Sequence, residues 1–146
     1  MYEIFGNFDS VEEINACASG LMEEGDAEHI RMLAKENGIP EAMAEDYIGG
    51  RSIELTDWMN AAMGKLDIEG EGFEDKRYPI GPTVDYLKTQ CVEETFARKV
   101  RNREKSVKKC MDIIKEKCMD LQRSKGVYYA ADMQVFRWAR DYFMEG

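Results

Sequence analysis

Apolar side chains recur at helical spacing along most of this chain. Ile14, Cys17, Ala18 and Leu21 lie three or four positions apart, which places them on one face of an α-helix. No segment shows the strict alternation of apolar and polar residues that a half-buried strand requires. The pattern therefore predicts an all-α fold of about six or seven helices.

Capping signals indicate where these helices begin and end. Ser10 and Glu13 have the spacing of a capping box, and Gly25 is suited to a left-handed helix stop, so a first helix is predicted at residues 11–24. Periodicity, with glycine or proline stops, predicts further helices at 26–36, 40–48, 55–68 and 132–144. Two more helices are predicted between Pro82 and Gly126, and they join near residues 102–106.

One segment breaks the periodicity. Residues 69–81 are rich in glycine and charge, which predicts a long loop. The charge balance also changes there: residues 1–75 carry 19 acidic and 4 basic side chains, net −15, whereas residues 76–146 carry 10 acidic and 16 basic ones, net +6. We therefore expect an acidic lobe, 1–75, and a basic lobe, 76–146, with one continuous domain as the alternative.

Sequence motifs for catalysis or cofactor binding are absent. There is no phosphate-binding glycine loop and no nucleophile elbow, and the four cysteines form no Cys-x-x-Cys pair. His29 is the single histidine, far in sequence from most of the cysteines. We predict no catalytic centre, no cofactor and no metal site. The absence of a signal peptide and of a membrane-length apolar run predicts a cytoplasmic protein that does not enter a membrane.

Paired carboxylates are the first candidate binding feature. A collective acidic surface would contact a basic partner, whereas the alternative is a set of ordinary solvated helix faces. The candidate acidic residues are Glu23, Glu24, Glu45, Asp46, Glu74 and Asp75.

The second candidate is the basic segment, residues 98–109, with seven cations and one acid. In a continuous helix, four of these cations would form a stripe able to contact phosphates. The alternatives are a solvated helix face and pairing with the acidic half of the same chain. The candidate cations are Arg98, Lys99, Arg101, Arg103, Lys105, Lys108 and Lys109.

Several stretches together resemble the PcfK-like family of mobile-element proteins. They are residues 4–10, 37–40, 85–91 and 132–143, with the basic helix that ends at Lys109-Cys110. One departure is Asp141, which precedes Tyr142-Phe143 where family members often have histidine. The family includes anti-CRISPR proteins that inhibit type II-A Cas9.

The resemblance implies a Cas9 effector, loaded with guide RNA, as the partner. Acidic proteins can occupy cationic nucleic-acid channels, so the acidic lobe would contact basic protein while the basic segment would contact guide RNA. The alternative function is an accessory protein of a conjugative element that binds nucleic acid or a relaxosome component through the basic segment.

Overall fold

Polar side chains cap the N-termini of four helices in the computed structural model, which describes residues 1–75, 77–126 and 130–145. The Ser10 and Asp26 side chains accept hydrogen bonds from the backbone N–H groups of Glu13 and His29, as the capping signals predict. Asp57 and Ser106 cap two later helices in the same way, and Asp9 N–H donates to the Glu13 carboxylate at 2.8 Å.

The all-α prediction is confirmed, with eight helices and no strand in the described residues. They are α1 (Val11–Glu23), α2 (Ala27–Glu36), α3 (Glu41–Ile48), α4 (Trp58–Glu71), α5 (Ile80–Gln90), α6 (Glu94–Arg101), α7 (Val107–Lys125) and α8 (Asp132–Met144).

The predicted count of six or seven helices was too low. A single helix was expected before residue 102, but the chain turns at residues 91–93 and starts again as α6. Glycine and proline are absent there, so the sequence carried no stop signal. The loop predicted at 69–81 is also shorter, because α4 continues through Glu71 and α5 begins at Ile80.

Buried apolar side chains form two groups. One group draws on α1, α2 and α3 and includes Ile14, Ile30 and Leu33. The other is built from α5 to α8, together with the second half of α4. Helix α4 serves both groups, since Ala61 belongs to the first and Ala62 to the second. The proposed division into two lobes at residue 75 stays a prediction.

Helix α8 packs one face into the second group. Val135, Ala139 and Phe143 are buried, whereas Met133 is 69% exposed. Met133 lies in the first turn of α8, where fewer neighbouring helices cover the side chain.

The N-terminal segment, residues 1–9, links the two groups through polar contacts. The Tyr2 hydroxyl donates to the Glu69 carboxylate at 2.7 Å, and the N–H groups of Ile4 and Phe5 donate to the Glu36 carboxylate. These contacts hold the segment across the ends of α2 and α4.

Candidate interaction surfaces

The basic segment is not one helix. Helix α6 ends at Arg101, and α7 begins only at Val107. Residues 102–106 between them form a corner, at the place where the sequence predicted a join. The single-faced stripe required a continuous helix, so Arg98, Arg101, Lys105 and Lys108 do not share one helix face.

Arg101 is an internal residue, with 2% of its surface exposed. Its guanidinium donates to the Phe8 carbonyl at 2.7 Å and to the Ala61 carbonyl at 3.3 Å. Arg101 therefore joins the N-terminal segment to α4 and α6, and its side chain is not available to phosphates.

The other two arginines of the basic segment face the acidic half of the same chain. Arg98 pairs with Glu94 at 2.8 Å and with Glu12 at 2.6 Å. Arg103 lies 3.7 Å from Glu13, and its backbone N–H donates to Asp9. The structure thus favours the intramolecular alternative for these arginines.

Three of the four lysines of the segment also have nearby partners. The Lys105 ammonium donates to the Tyr142 carbonyl and lies 4.6 Å from the centre of the Tyr142 ring. Lys108 pairs with Asp112, and Lys109 donates to the Glu104 carbonyl, while Lys99 has no ion pair within the described residues. Lys108 and Lys109 remain exposed.

A buried lysine outside the segment fixes the corner. Lys65 is fully buried in α4, and its ammonium donates to the carbonyls of Asn102 and Lys105, each at 2.8 Å. Desolvation by burial lowers the pKa of Lys65 to about 8, against a smaller opposing effect of Glu69. A sequence shows no signal for such a site, because Lys65 falls within an ordinary amphipathic helix.

A group of free negative charges lies at the acidic turn, residues 23–28, between α1 and α2. Glu23, Glu24 and Glu28 are exposed and make no ion pair in the part of the chain that the structure describes. Asp26 accepts from His29 at 2.7 Å, and this contact, with smaller effects of Glu28 and Glu24, raises the pKa of His29. Three carboxylates therefore act on one histidine.

The position of two of these acids is unfavourable for the helix itself. Glu23 is in the last turn of α1 and Glu24 caps its C-terminus, where the helix dipole disfavours negative charge. No basic residue is present in that last turn to offset them. Sequence reasoning included Glu23 and Glu24 but missed Glu28, because it considered only adjacent acidic pairs.

Three of the four remaining candidate acids have partners. Glu45 pairs with Arg31 across α2 and α3, and Asp46 pairs with Arg51. Asp75 accepts two hydrogen bonds from the Arg77 side chain, which hold the pKa of its carboxyl far below the usual range. Glu74 is exposed beside it. The six candidate acids therefore differ in whether their carboxylates are free to contact a partner.

The described residues show neither a candidate metal-ligand cluster nor a buried thiol with a lowered pKa. No cluster of three or more histidine, cysteine, aspartate or glutamate side chains with metal-binding geometry occurs among them. Burial raises the pKa of the Cys91 and Cys110 thiols to about 12, which disfavours the reactive thiolate. None of the described helices combines the length and apolar character needed to cross a membrane.

Comparison with known proteins gave no relative. No family model matches the chain, and no curated protein or solved structure matches it.

Proposed function

We propose that this protein is a non-catalytic inhibitor that binds a type II-A Cas9 effector, loaded with guide RNA, in the cytoplasm. The carboxylates of the acidic turn would contact a basic surface of the effector and hinder DNA recognition or cleavage. The choice of effector rests on the resemblance to PcfK-like proteins.

One observation carries the binding mode: the acidic turn presents unpaired carboxylates, whereas the arginines of the basic segment are occupied inside the chain. Unpaired surface charge remains available to a partner and accelerates encounter with an oppositely charged surface. This contrast favours a cationic partner surface over direct capture of nucleic acid. In the proposal, guide RNA contact is limited to Lys99, Lys108 and Lys109.

A charge-neutral variant tests the proposal. Replacing Glu23, Glu24 and Glu28 by Gln removes the free carboxylates without deleting side chains. Association with purified Cas9 and guide RNA, measured by surface plasmon resonance at low salt, is expected to slow roughly tenfold. Inhibition of target cleavage should weaken in parallel.

The matched control replaces Glu104, Glu116 and Glu145 by Gln, three exposed acids of the other half. It changes the net charge by the same amount and should leave the association rate close to that of the unmodified protein. Equal rates for both variants would remove the acidic turn from the mechanism, and absence of any binding to Cas9 would remove the proposed partner.

The alternative function, an accessory nucleic-acid-binding protein of a conjugative element, depends on the exposed lysines Lys108 and Lys109. It predicts salt-sensitive binding to free DNA in the absence of Cas9. Replacing both lysines by Gln should then abolish DNA binding.

A further inference from the structure

Ile53 is the most exposed of the large apolar side chains that the structure describes, with 97% of its surface accessible to solvent. It lies in the Ile53 loop, residues 49–57, which connects α3 to α4. Burying an aliphatic side chain of this size is favourable. Ile53 gains almost none of this stabilisation within the fold, so the burial remains available to a contact with a partner.

The loop backbone is anchored on both sides of Ile53. Before it, the N–H groups of Arg51 and Ser52 donate to the Asp46 carbonyl at 2.8 and 3.2 Å. After it, Asn15 and Thr56 exchange two hydrogen bonds of 3.1 Å between side chain and backbone, and Leu55 is buried. Fixed neighbours therefore hold Ile53 outward.

Two open clefts flank this side chain. The cleft towards α1 has a volume of about 590 Å³ and includes Ala16, Ser19 and Trp58. The cleft towards α3 has a volume of about 660 Å³ and includes Met43 and Leu55. Ile53 lines both clefts, so a segment that covered it would have apolar surface on either side.

Acidic residues border the same clefts. Glu12 and Asp46 are paired with Arg98 and Arg51, whereas Glu54 and Asp57 have no cationic partner in the described chain. Unpaired carboxylates attract lysine or arginine and repel phosphates, which argues against nucleic acid as the occupant. A second copy of this chain is also disfavoured, because its net charge is −9.

We propose that Ile53 and the two clefts form a docking surface for a basic amphipathic segment of a partner protein. An apolar side chain of that segment packs on Ile53 and Trp58, and its cations lie near Glu54 and Asp57. This inference rests on the proposed function, since it supplies the apolar contact for the same protein partner. Ala16, Ser19 and Glu23 share one face of α1, which joins this surface to the acidic turn.

The test uses the full chain and a synthetic amphipathic peptide of leucine and lysine with leucines at helical spacing. Titration is followed in methyl NMR spectra, with a second peptide in which serine replaces every leucine. The first peptide should shift the Ile53 methyl and Trp58 indole resonances, and the serine peptide should not. Absence of these shifts while other regions respond would overturn the proposal.

Two variants complete the test. Ile53→Ser should weaken binding of the leucine peptide about tenfold. Val92→Ser, which alters another exposed β-branched residue in a connecting segment, should bind like the unmodified protein. Equal loss in both variants, or in neither, would overturn the docking surface.

The same variants separate this inference from the proposed function. If the unmodified protein and Ile53→Ser bind Cas9 equally, the docking surface is wrong and the proposed function stands. If Cas9 is not bound but the Ile53 resonance responds to the peptide, the proposed partner is wrong and the surface stands. Concentration-dependent dimers lost in Ile53→Ser would instead identify a second copy as the occupant and overturn the proposal.

Discussion

Lys65 shows how one buried charge organises a region that sequence analysis treated as surface. Its ammonium binds two carbonyls of the corner, and no carboxylate accepts from it directly in the described structure. Burial of an ammonium disfavours its charged form, which accounts for the lowered pKa. The position of the corner therefore depends on a group whose charge changes in mildly alkaline solution.

The first prediction concerns pH. The pKa of Lys65 is about 8 in the folded chain and ordinary in the unfolded chain, so the unfolded state binds more protons between these values. The contribution of Lys65 to the free energy of unfolding should rise across that window, by about 3 kcal/mol in total. Denaturant titrations at several pH values give the free energies of unfolding of the unmodified protein and Lys65→Met. The difference between these two values should change with pH. A difference that does not change with pH would contradict the assignment.

A second prediction separates the buried and exposed cations of the basic segment. Arg101→Met leaves the carbonyls of Phe8 and Ala61 without their donor, and should lower the free energy of unfolding by roughly 3 kcal/mol. Lys108→Met, at a side chain that is 80% exposed, should change it by less than about 0.5 kcal/mol. Chemical denaturation monitored by circular dichroism measures both values, and equal effects would argue against the internal role of Arg101.

Sequence analysis located the basic segment but could not distinguish its buried arginine from its exposed lysines. Arg101 and Lys108 are both cations next to apolar helical positions, and only the approach of Phe8, far away in the chain, buries one of them. Helix caps were easier to predict from the sequence. Ser10 and Asp26 were identified correctly because the donor lies three residues from the acceptor.

At the scale of helices, the turn after α2 crosses the backbone of α4, and this crossing depends on two glycines. A Cβ atom on Gly64 would overlap the backbone of Asn37 and Gly38. Gly38 also has φ of 68°, in the left-handed region that favours glycine. The end of α2 can therefore lie directly on the backbone of α4, which places Ala61 and Ala62 between the two apolar groups.

A third prediction follows from this crossing. Gly64→Ala should lower the free energy of unfolding by roughly 3 kcal/mol, because both backbones must separate. Gly20→Ala, in the interior of α1 with open space around it, should raise it by up to about 1 kcal/mol through helix propensity. Thermal unfolding followed by circular dichroism compares the two, and a stable Gly64→Ala variant would show that the helices are not held this closely.

Helix existence was predictable from periodicity, whereas the break at residues 91–93 was not. Cys91 and Val92 are compatible with a continuous helix, and the chain turns there so that Phe96 and Val100 can pack in the same core as Leu87. Tertiary packing sets this helix boundary, and a single sequence does not show tertiary packing directly. Gly64 similarly sits inside an ordinary helical pattern that gave no sign of the crossing.

At the scale of the whole molecule, the acidic and basic halves meet through Arg98, Arg101 and Arg103. These contacts neutralise part of the repulsion expected from a net charge of −15 in residues 1–75. Part of the charge asymmetry of the sequence is therefore compensated by contacts between the two halves of the chain. Within the described residues, the acids that stay without an ion pair include Glu23, Glu24 and Glu28 of the acidic turn and Glu54 and Asp57 beside Ile53.

A fourth prediction tests how far the halves depend on each other. A fragment of residues 1–75 would expose Ala62 and Leu66 and leave Lys65 without the carbonyls of the corner. It should therefore show low helix content and no cooperative thermal transition by circular dichroism. Mixing it with a fragment of residues 76–146 should restore helix if the contacts described are sufficient. Cooperative unfolding of the isolated 1–75 fragment would instead support two independent lobes.

The hydrogen bond from Arg101 to Phe8 spans 93 positions of the chain, which has a consequence for biosynthesis. A ribosome makes the acceptor first and adds the donor roughly 5 to 20 seconds later at ordinary elongation rates. During that interval the nascent acidic half has left the exit tunnel without its arginines, and its N-terminal segment must stay hydrated or be held by a chaperone. Closure of the molecule therefore awaits the emergence of Arg101 from the ribosome, and a pause ahead of its codon would lengthen the life of the open form.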